Sequence, residues 1–461
     1  MVGVQITKGP QDWQIIQQEE GFGVFEAEGR FFPPEGASAD KLRVYARLVR
    51  EEDGRSLGFW QMAEQTGADG WKTALRAPAG GPYRLETCLA AEGEPALEWG
   101  TRGDMRLHLG VGDLYVIAGQ SNSAGYGKDP VYDPPELGVH LYRNCGRWDL
   151  AAHPMNESTD TIHPVNREGG NPGASPYLSF GKLLRRELGY PIGLLQTSLG
   201  GSPLCWWNPK EDGRLYRNML EVVRSQGGKV KGVLWYQGCT DTTDQDSPTY
   251  LSRFREMVEG FRADMGAEVP FLTVQLSRLL GTWEYDNSRN WAAIREAQRR
   301  AALEIPGVSA VPALDGTMSD GIHISAAFCL VLGERLAMAA LRNIYGKPGV
   351  PAAPELEKAF LADEKTAVFT FRNVQGRMFC YNCLPDITVW DEEGIVPAEG
   401  CELEGNTVRM LLSRPAKGRC KAGGGWEQDP KFPLPVDFNT HLPMLAFYEV
   451  PLEGSGEALH G

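Results

Sequence analysis

The run Leu114-Tyr115-Val116-Ile117-Ala118, followed at once by Gly119-Gln120-Ser121-Asn122-Ser123-Ala124-Gly125, decides how the rest of the sequence is read. Five consecutive apolar or aromatic residues closed by a glycine spell a strand buried on both faces. A strand with one wet face would alternate apolar and polar residues. The serine that follows is set between a glycine and small residues, on a sharp turn. Such a turn exposes the hydroxyl and brings its backbone N–H to the edge of a helix N-terminus, which suits a nucleophile. An ordinary strand-to-helix turn capped by Ser or Asn uses the same residue types, so the stretch needs company before it means chemistry.

Company comes on its C-terminal side. Ile192–Thr197, Gly232–Tyr236, Phe271–Gln275 and Val308–Val311 are further short apolar runs. They alternate with helical patterns at about 176–188, 215–226, 248–265, 290–303 and 324–342. In the second of these Leu215, Met219, Val222 and Val223 recur at helical spacing. This alternation predicts an α/β domain over 111–347, a doubly wound parallel sheet with helices on both faces. On the N-terminal side, residues 1–110 read as a β-rich domain with strands at Phe22–Ala27, Leu42–Leu48, Tyr83–Ala90 and Met105–Leu109. Pro348 to Pro354 reads as a linker. Residues 355–461 read as a second β-rich domain, with strands at Thr366–Phe371, Ile387–Trp390, Val408–Leu412 and Met444–Val450. Both flanks are expected to be sandwich-like. Three domains suit 461 residues.

In open α/β sheets function collects at the carboxyl ends of the strands. The second strand ends in Leu199-Gly200-Gly201-Ser202, with Trp206 and Trp207 close behind. The third ends in Trp235-Tyr236-Gln237-Gly238-Cys239, and the fifth leads into Asp320-Gly321-Ile322-His323 and a long helix. A glycine turn can aim a backbone N–H at a developing oxyanion, and a Gln amide can do the same with its side chain. An Asp three residues before a His can fix the imidazole tautomer and leave Nε2 as a base. Each element has an ordinary structural use: a flexible turn, a satisfied core amide, a helix cap. A metal site from Asp315, Asp320 and His323 lacks a second His or Cys nearby. The elements gain weight together, because they follow four strands of one sheet on one side. Aromatic residues at the mouth (Trp206, Trp207, Trp283, Tyr285) suit sugar rings or rim packing. Arg143, Arg147 and Arg167 suit a sugar carboxylate or a solvated loop.

Composition narrows the partners. A formal net charge of −14 repels phosphate backbones and anionic lipid, and weakly disfavours a strongly anionic substrate. Neither a signal-peptide pattern nor an apolar run of membrane-spanning length is present, and nine scattered cysteines suit a reducing compartment. The expected location is cytoplasmic. Cys380-x-x-Cys383 stands without a second pair at zinc-finger spacing. No metal or organic cofactor is expected.

Gly-Gln-Ser-Asn at 119–122, Gly-Gly-Ser at 200–202, Trp-Tyr-Gln-Gly at 235–238 and Asp-Gly-Ile-His at 320–323 resemble, in order, the motifs of the SGNH hydrolases and within them the sialate O-acetylesterase family of carbohydrate esterases. The resemblance implies a serine esterase with Ser121 as nucleophile, His323 as general base and acid, and Asp320 as its orienting partner. It implies an oxyanion hole from the N–H of Ser121, Gly201 and Gln237. Gln120, Asn122, Trp206 and Trp207, which flank these motifs, are candidate substrate contacts. The substrate implied is an acetylated sugar or oligosaccharide, with no nucleic acid or membrane partner; a homo-oligomer is compatible. Alternatives are an acetylxylan- or acetylmannan-type esterase on plant oligosaccharides, and an inactive carbohydrate-binding protein. The sequence departs from the family pattern at Cys239, where Glu is usual, and at Ser123, where Met is frequent.

Overall fold

The computed structural model describes residues 2–93, 100–170, 172–281, 286–381, 384–431 and 433–454. A mixed sheet forms the centre. Its order is Trp148–Leu150, Val139–Tyr142, Ile192–Gln196, Thr101–Gly119, Gly232–Tyr236, Phe271–Val274 and Val308–Val311. All neighbours along it are parallel except the Trp148–Leu150 edge. The expected central strands are all present. Val139–Tyr142 is an additional strand, within a stretch whose sequence reads as a loop.

Thr101–Gly119 holds the molecule together. The reading expects two strands, Met105–Leu109 and Leu114–Ala118; the structure has one strand of 19 residues. Its first half pairs antiparallel with Gly80–Ala91, and its second half pairs parallel with the strands on either side. The step in character at 111 is therefore a change of layer along one strand. Exposed residues give way there to an unbroken buried run.

Among the described residues the α-helices are α1 (Ser121–Ala124), α2 (Tyr177–Leu188), α3 (Arg214–Ser225), α4 (Tyr250–Met265), α5 (Ser288–Glu304) and α6 (Ala326–Asn343). In α3 the face that carries Leu215, Met219, Val222 and Val223 is buried. Each such side chain contributes about 1.5–3 kcal/mol of burial. The N-terminal region packs Gly3–Lys8, Phe22–Phe32, Gly70–Pro78 and Glu64–Thr66 against a second layer that includes Leu42–Arg50 and Gly80–Ala91. Phe25, Phe31 and Trp71 meet Val44, Leu48, Leu85 and Leu109 between them. In the C-terminal region two four-stranded sheets share a core of Phe369, Phe371, Val389, Met410 and Phe447.

The strand order positions the site. From Thr101–Gly119 the chain first moves to Val139–Tyr142 and Ile192–Gln196 on one side, then crosses to Gly232–Tyr236 on the other. Ligands bind in α/β sheets at the crevice such a reversal opens.

Candidate active site

The crevice opens where Thr101–Gly119 ends. Gly119 has φ +127°, and a Cβ there would sit 2.3 Å from the Tyr236 carbonyl oxygen, so the turn requires glycine. The next residues wind directly into α1, and Ser121 stands at its first position. Ser121 Oγ lies 2.9 Å from His323 Nε2. His323 Nδ1 lies 2.7 Å from Asp320 Oδ2. Asp320 Oδ1 accepts the backbone N–H groups of Ile322 (2.9 Å) and His323 (2.8 Å). Burial pushes this carboxyl up, but the hydrogen bonds from Ile322 and His323 outweigh it and hold Asp320 below its ordinary value. The three residues form one relay, from carboxylate through imidazole to hydroxyl.

The loop that carries them is clamped. Asn122 accepts the N–H of Ile324 (3.0 Å) and donates to the carbonyl of Ile322 (3.1 Å), fixing the loop on both sides of His323. Asp129 accepts from the Ser319 hydroxyl and, at 2.9 Å, from the Ala326 N–H at the start of α6. Gln120 accepts the Gly238 N–H at 3.0 Å and ties the serine turn to the next strand end. The reading expects Gln120 and Asn122 to contact substrate; both are buried and their bonds go to the protein.

Gly201 and Gln237 flank the serine turn from either side, and they differ. Leu199 N–H bonds to Gly119 O at 3.0 Å, which seats the glycine turn beside Ser121. Gly201 is exposed with φ +64° and open space around it, and its N–H has no acceptor among the described residues. The Ser121 N–H at the start of α1 likewise has none. Gln237 is fully buried. Its Nε2 donates to Ser202 O (3.1 Å) and Asp241 Oδ2 (2.5 Å), and its Oε1 accepts from Tyr250 (3.0 Å). Both amide hydrogens are taken. In this structure the Gln237 amide, expected as an oxyanion donor, is engaged by the Asp241 carboxyl and the Ser202 carbonyl and braces the crevice wall. Burial also raises the Asp241 carboxyl, against the hydrogen bonds from Gln237 and Leu204.

Two residues that the sequence reading missed complete the arrangement. Tyr126 stacks on His323, with ring centroids 4.9 Å apart and planes at 28°. Its hydroxyl donates to Glu168, and the other Glu168 oxygen accepts the Gly200 N–H at 3.1 Å. One carboxylate therefore connects the packing of His323 to the glycine turn. Tyr126 could be suspected from its place five residues after Ser121; Glu168 sits in a long irregular segment without a periodic signal.

Trp207 is fully buried, donates to Ser202 Oγ at 3.0 Å and meets Trp235 edge-on, so it is core and offers no face to a substrate. Trp206 is half-buried with Arg214 over its ring at 4.7 Å. Arg143 is tied to Asp149, Glu157 and the Pro154 carbonyl. Trp283, Tyr285, Cys383 and His460 lie outside the described residues. Asp315 is held by Arg335 at 2.7 Å through both its oxygens, away from Asp320 and His323. Among the described residues no three His, Cys, Asp or Glu side chains converge as metal ligands. Ser123 Oγ is buried at 2.7 Å from the Tyr177 hydroxyl. Cys239 is buried, and burial pushes its thiol up to about 12. Arg295, also buried, donates to the carbonyls of Leu276, Ser277, Gly425 and Glu427.

A sequence profile described as carbohydrate esterase, sialic acid-specific acetylesterase, matches residues 111–342, half of the chain. The chain belongs to this family. The matched residues are the central sheet and its helices, with all four motifs inside. A probable carbohydrate esterase from Arabidopsis thaliana is 29% identical over 254 residues, which are 50% of this chain and 90% of that protein. The crystal structure of a carbohydrate acetylesterase from Xanthomonas citri aligns over 95% of this chain and 97% of its own, with a TM-score of 0.66 at 23% identity. That likeness extends the shared fold into both β-rich flanks. Family membership makes this chain a carbohydrate O-acetylesterase.

Proposed function

We propose that the esterase works through an acetyl-serine intermediate, and that Ser121, His323 and Asp320 carry it. One observation supports this most: the unbroken relay from Asp320 through His323 to Ser121 Oγ, with bonds of 2.7 and 2.9 Å. His323 Nε2 takes the Ser121 proton as Oγ attacks the acetyl carbonyl carbon. Asp320, ionised, stabilises the imidazolium. The tetrahedral oxyanion is met by the free N–H groups of Ser121 and Gly201. The C–O bond to the sugar breaks, and His323 protonates the departing sugar oxygen. Water then attacks the acetyl-enzyme with His323 as base, and acetate leaves with Ser121 restored.

Trp206, partly exposed behind the glycine turn, is the aromatic contact we assign to the sugar. A sialate ester brings a carboxylate, which needs a cation. Lys128 is exposed, with its Nζ 4.8 Å from the ring centroid of Tyr126, and it takes that role. A second reading has specific support: the Glu168 and Asp320 carboxylates beside the Tyr126–His323 stack favour a neutral acetylated oligosaccharide of the xylan or mannan type. The free thiols of Cys88, Cys145, Cys205, Cys239 and Cys329 support work in a reducing, cytoplasmic compartment.

The test is acetate release from 4-nitrophenyl acetate, an O-acetylated sialic acid and acetylated xylo-oligosaccharides. Ser121→Ala should lower turnover by about 10⁴-fold or more while the protein stays folded. Equal turnover by wild type and Ser121→Ala would remove Ser121 from the mechanism.

A further inference from the structure

Outside the catalytic crevice, the C-terminal region carries an aromatic surface that its own core does not use. In the sheet Gly394–Val396, Ile387–Asp391, Lys421–Gly424 and Phe447–Pro451, side chains alternate between the two faces. Val389, Ala422 and Phe447 point into the core. Trp390 and Tyr448 point the other way and stay partly exposed, and Trp426 joins them from the loop after Gly424. Trp426 meets Trp390 at 5.1 Å and 75°, and lies nearly parallel to Tyr448 at 6.1 Å and 18°. Trp390 and Tyr448 are 6.1 Å apart at 87°. The sheet is cut to receive these rings. A Cβ on Gly423 would lie 2.9 Å from the Trp390 ring. Trp426 Nε1 donates to Thr388 Oγ1 at 3.0 Å, which fixes the indole over the sheet. Beside it opens a cleft of about 250 Å³, walled by Trp426, Thr388, Glu427, Asp386 and Ile395.

This surface is tied to the catalytic loop by hydrogen bonds. The loop 425–428 is bound to the catalytic sheet by Arg295, which donates to the Gly425 and Glu427 carbonyls at 3.0 and 2.6 Å. Gln428 O accepts the Leu279 N–H at 2.9 Å, and the next residue, Leu280, donates to Gly321 O at 2.7 Å. Gly321 lies between Asp320 and His323. A short chain of backbone bonds thus fixes Trp426 relative to the catalytic loop.

We propose that the Trp390–Trp426–Tyr448 surface and its cleft form a carbohydrate-binding subsite for sugar units of the substrate distant from the acetyl group, so that the enzyme acts on acetylated oligosaccharides in preference to acetylated monosaccharides. The proposal rests on the esterase reading of the catalytic site. Pyranose rings present apolar C–H faces and polar edges. Rigid aromatic faces bordered by a hydroxyl, carboxylates and the Lys421–Glu449 pair match both. A stable protein partner would need about 1,000 Å² or more of buried surface, beyond what three partly covered rings supply.

The experiment compares the full-length wild type with Trp426→Ala, Tyr448→Ala and the conservative Trp426→Phe. The substrates are 4-nitrophenyl acetate, monosaccharide acetates, and acetylated xylo-, manno- and sialyl-oligosaccharides of four or more units. In the wild type, oligosaccharides should have the lowest KM. The alanine variants should raise that KM about 5–10-fold with kcat nearly constant, and leave aryl and monosaccharide acetates unchanged within about 2-fold. Trp426→Phe should recover most of the loss. Intrinsic fluorescence titration with the deacetylated oligosaccharides reads binding without any ester chemistry. It should saturate for Ser121→Ala as for the wild type, and weaken for Trp426→Ala. The proposal fails if monosaccharide acetates are used as well as oligomers, if no oligosaccharide is turned over while the aryl ester is, or if the alanine variants match the wild type. It also fails if these variants change only self-association or binding to another protein. Loss of aryl-ester turnover in the wild type would count against the esterase reading alone, and the fluorescence arm would still decide the subsite.

Discussion

Gly201 and Gln237 stand at matching places on the two sides of the central strand, and the sequence offers both as oxyanion donors. The structure treats them in opposite ways. Gly201 has open space, a left-handed turn and an N–H without an acceptor among the described residues. Gln237 is buried among Ser202, Asp241 and Tyr250, with its amide hydrogens already given away. The residue type at a strand end says what a group can donate. Whether it is free depends on its competitors, and a buried carboxylate four residues on is a strong one. In the proposed mechanism the open side carries transition-state stabilisation, and the closed side the shape of the crevice.

The sharpest way to break this comparison is to disturb the open side without touching a reacting group. Glu168→Ala removes the acceptor that pins Gly200 and Tyr126. It should lower kcat by about 10–10²-fold with KM nearly unchanged, because a misplaced oxyanion donor loses most of its worth. Glu168→Gln should restore most of it, since its carbonyl oxygen can still accept the Gly200 N–H. Unchanged kcat in Glu168→Ala, measured by steady-state hydrolysis, would detach the glycine turn from catalysis. On the closed side, Gln237→Leu strands Ser202 O and Asp241 in the interior. Denaturant unfolding should show a loss of about 1–3 kcal/mol, with kcat down less than about 10-fold in the folded fraction. A loss of about 10²–10³ in kcat at full stability would make Gln237 a true oxyanion donor and overturn the contrast. A gentler probe is Gly201→Ala. It keeps the N–H and meets no neighbour, so it should cost about 1 kcal/mol for its positive φ and change kcat by less than about 5-fold.

The smallest effect expected is on pH. The folded state holds the Asp320 carboxyl below its ordinary value, so the stability that its ionisation adds is present above the unfolded pKa of about 4 and is lost as pH falls through the folded value. Melting curves of wild type and Asp320→Asn should therefore differ near neutral pH and converge on acidification. A difference that grows toward low pH would contradict the assignment. Because this side chain is half exposed to solvent, the gap will be modest.

Much of this architecture was legible in residue order. Leu114–Ala118, Ile192–Gln196, Gly232–Tyr236 and Phe271–Val274 are buried on both faces and are legible as mostly apolar runs, while Val308–Val311, at the sheet edge, is half-buried at its centre. Val139–Tyr142 did not, because four residues that include a polar His140 are too short to stand out from a Pro- and Asp-rich loop. Periodicity also could not show that Met105–Leu109 and Leu114–Ala118 are one strand, since the glycines between them read as a break. The meeting of Ser121, His323 and Asp320 was foreseeable because each follows a strand of one sheet. Glu168 was not, because a carboxylate in an irregular loop acquires a role only when the fold brings Tyr126 and Gly200 to it. Asn122 and Gln120 flank the nucleophile and read as substrate contacts. Burial turned them inward, where an amide's paired donor and acceptor suit a clamp.

The central claim is that Ser121 is the nucleophile primed by His323. The most direct measurement is peptide mass mapping of the protein after treatment with a serine-directed aryl phosphonate, with activity followed in parallel. The account predicts one covalent adduct on Ser121, with stoichiometric loss of esterase activity, and no adduct in His323→Ala at the same exposure. An inhibited enzyme with its adduct elsewhere, or full activity with Ser121 modified, would contradict it.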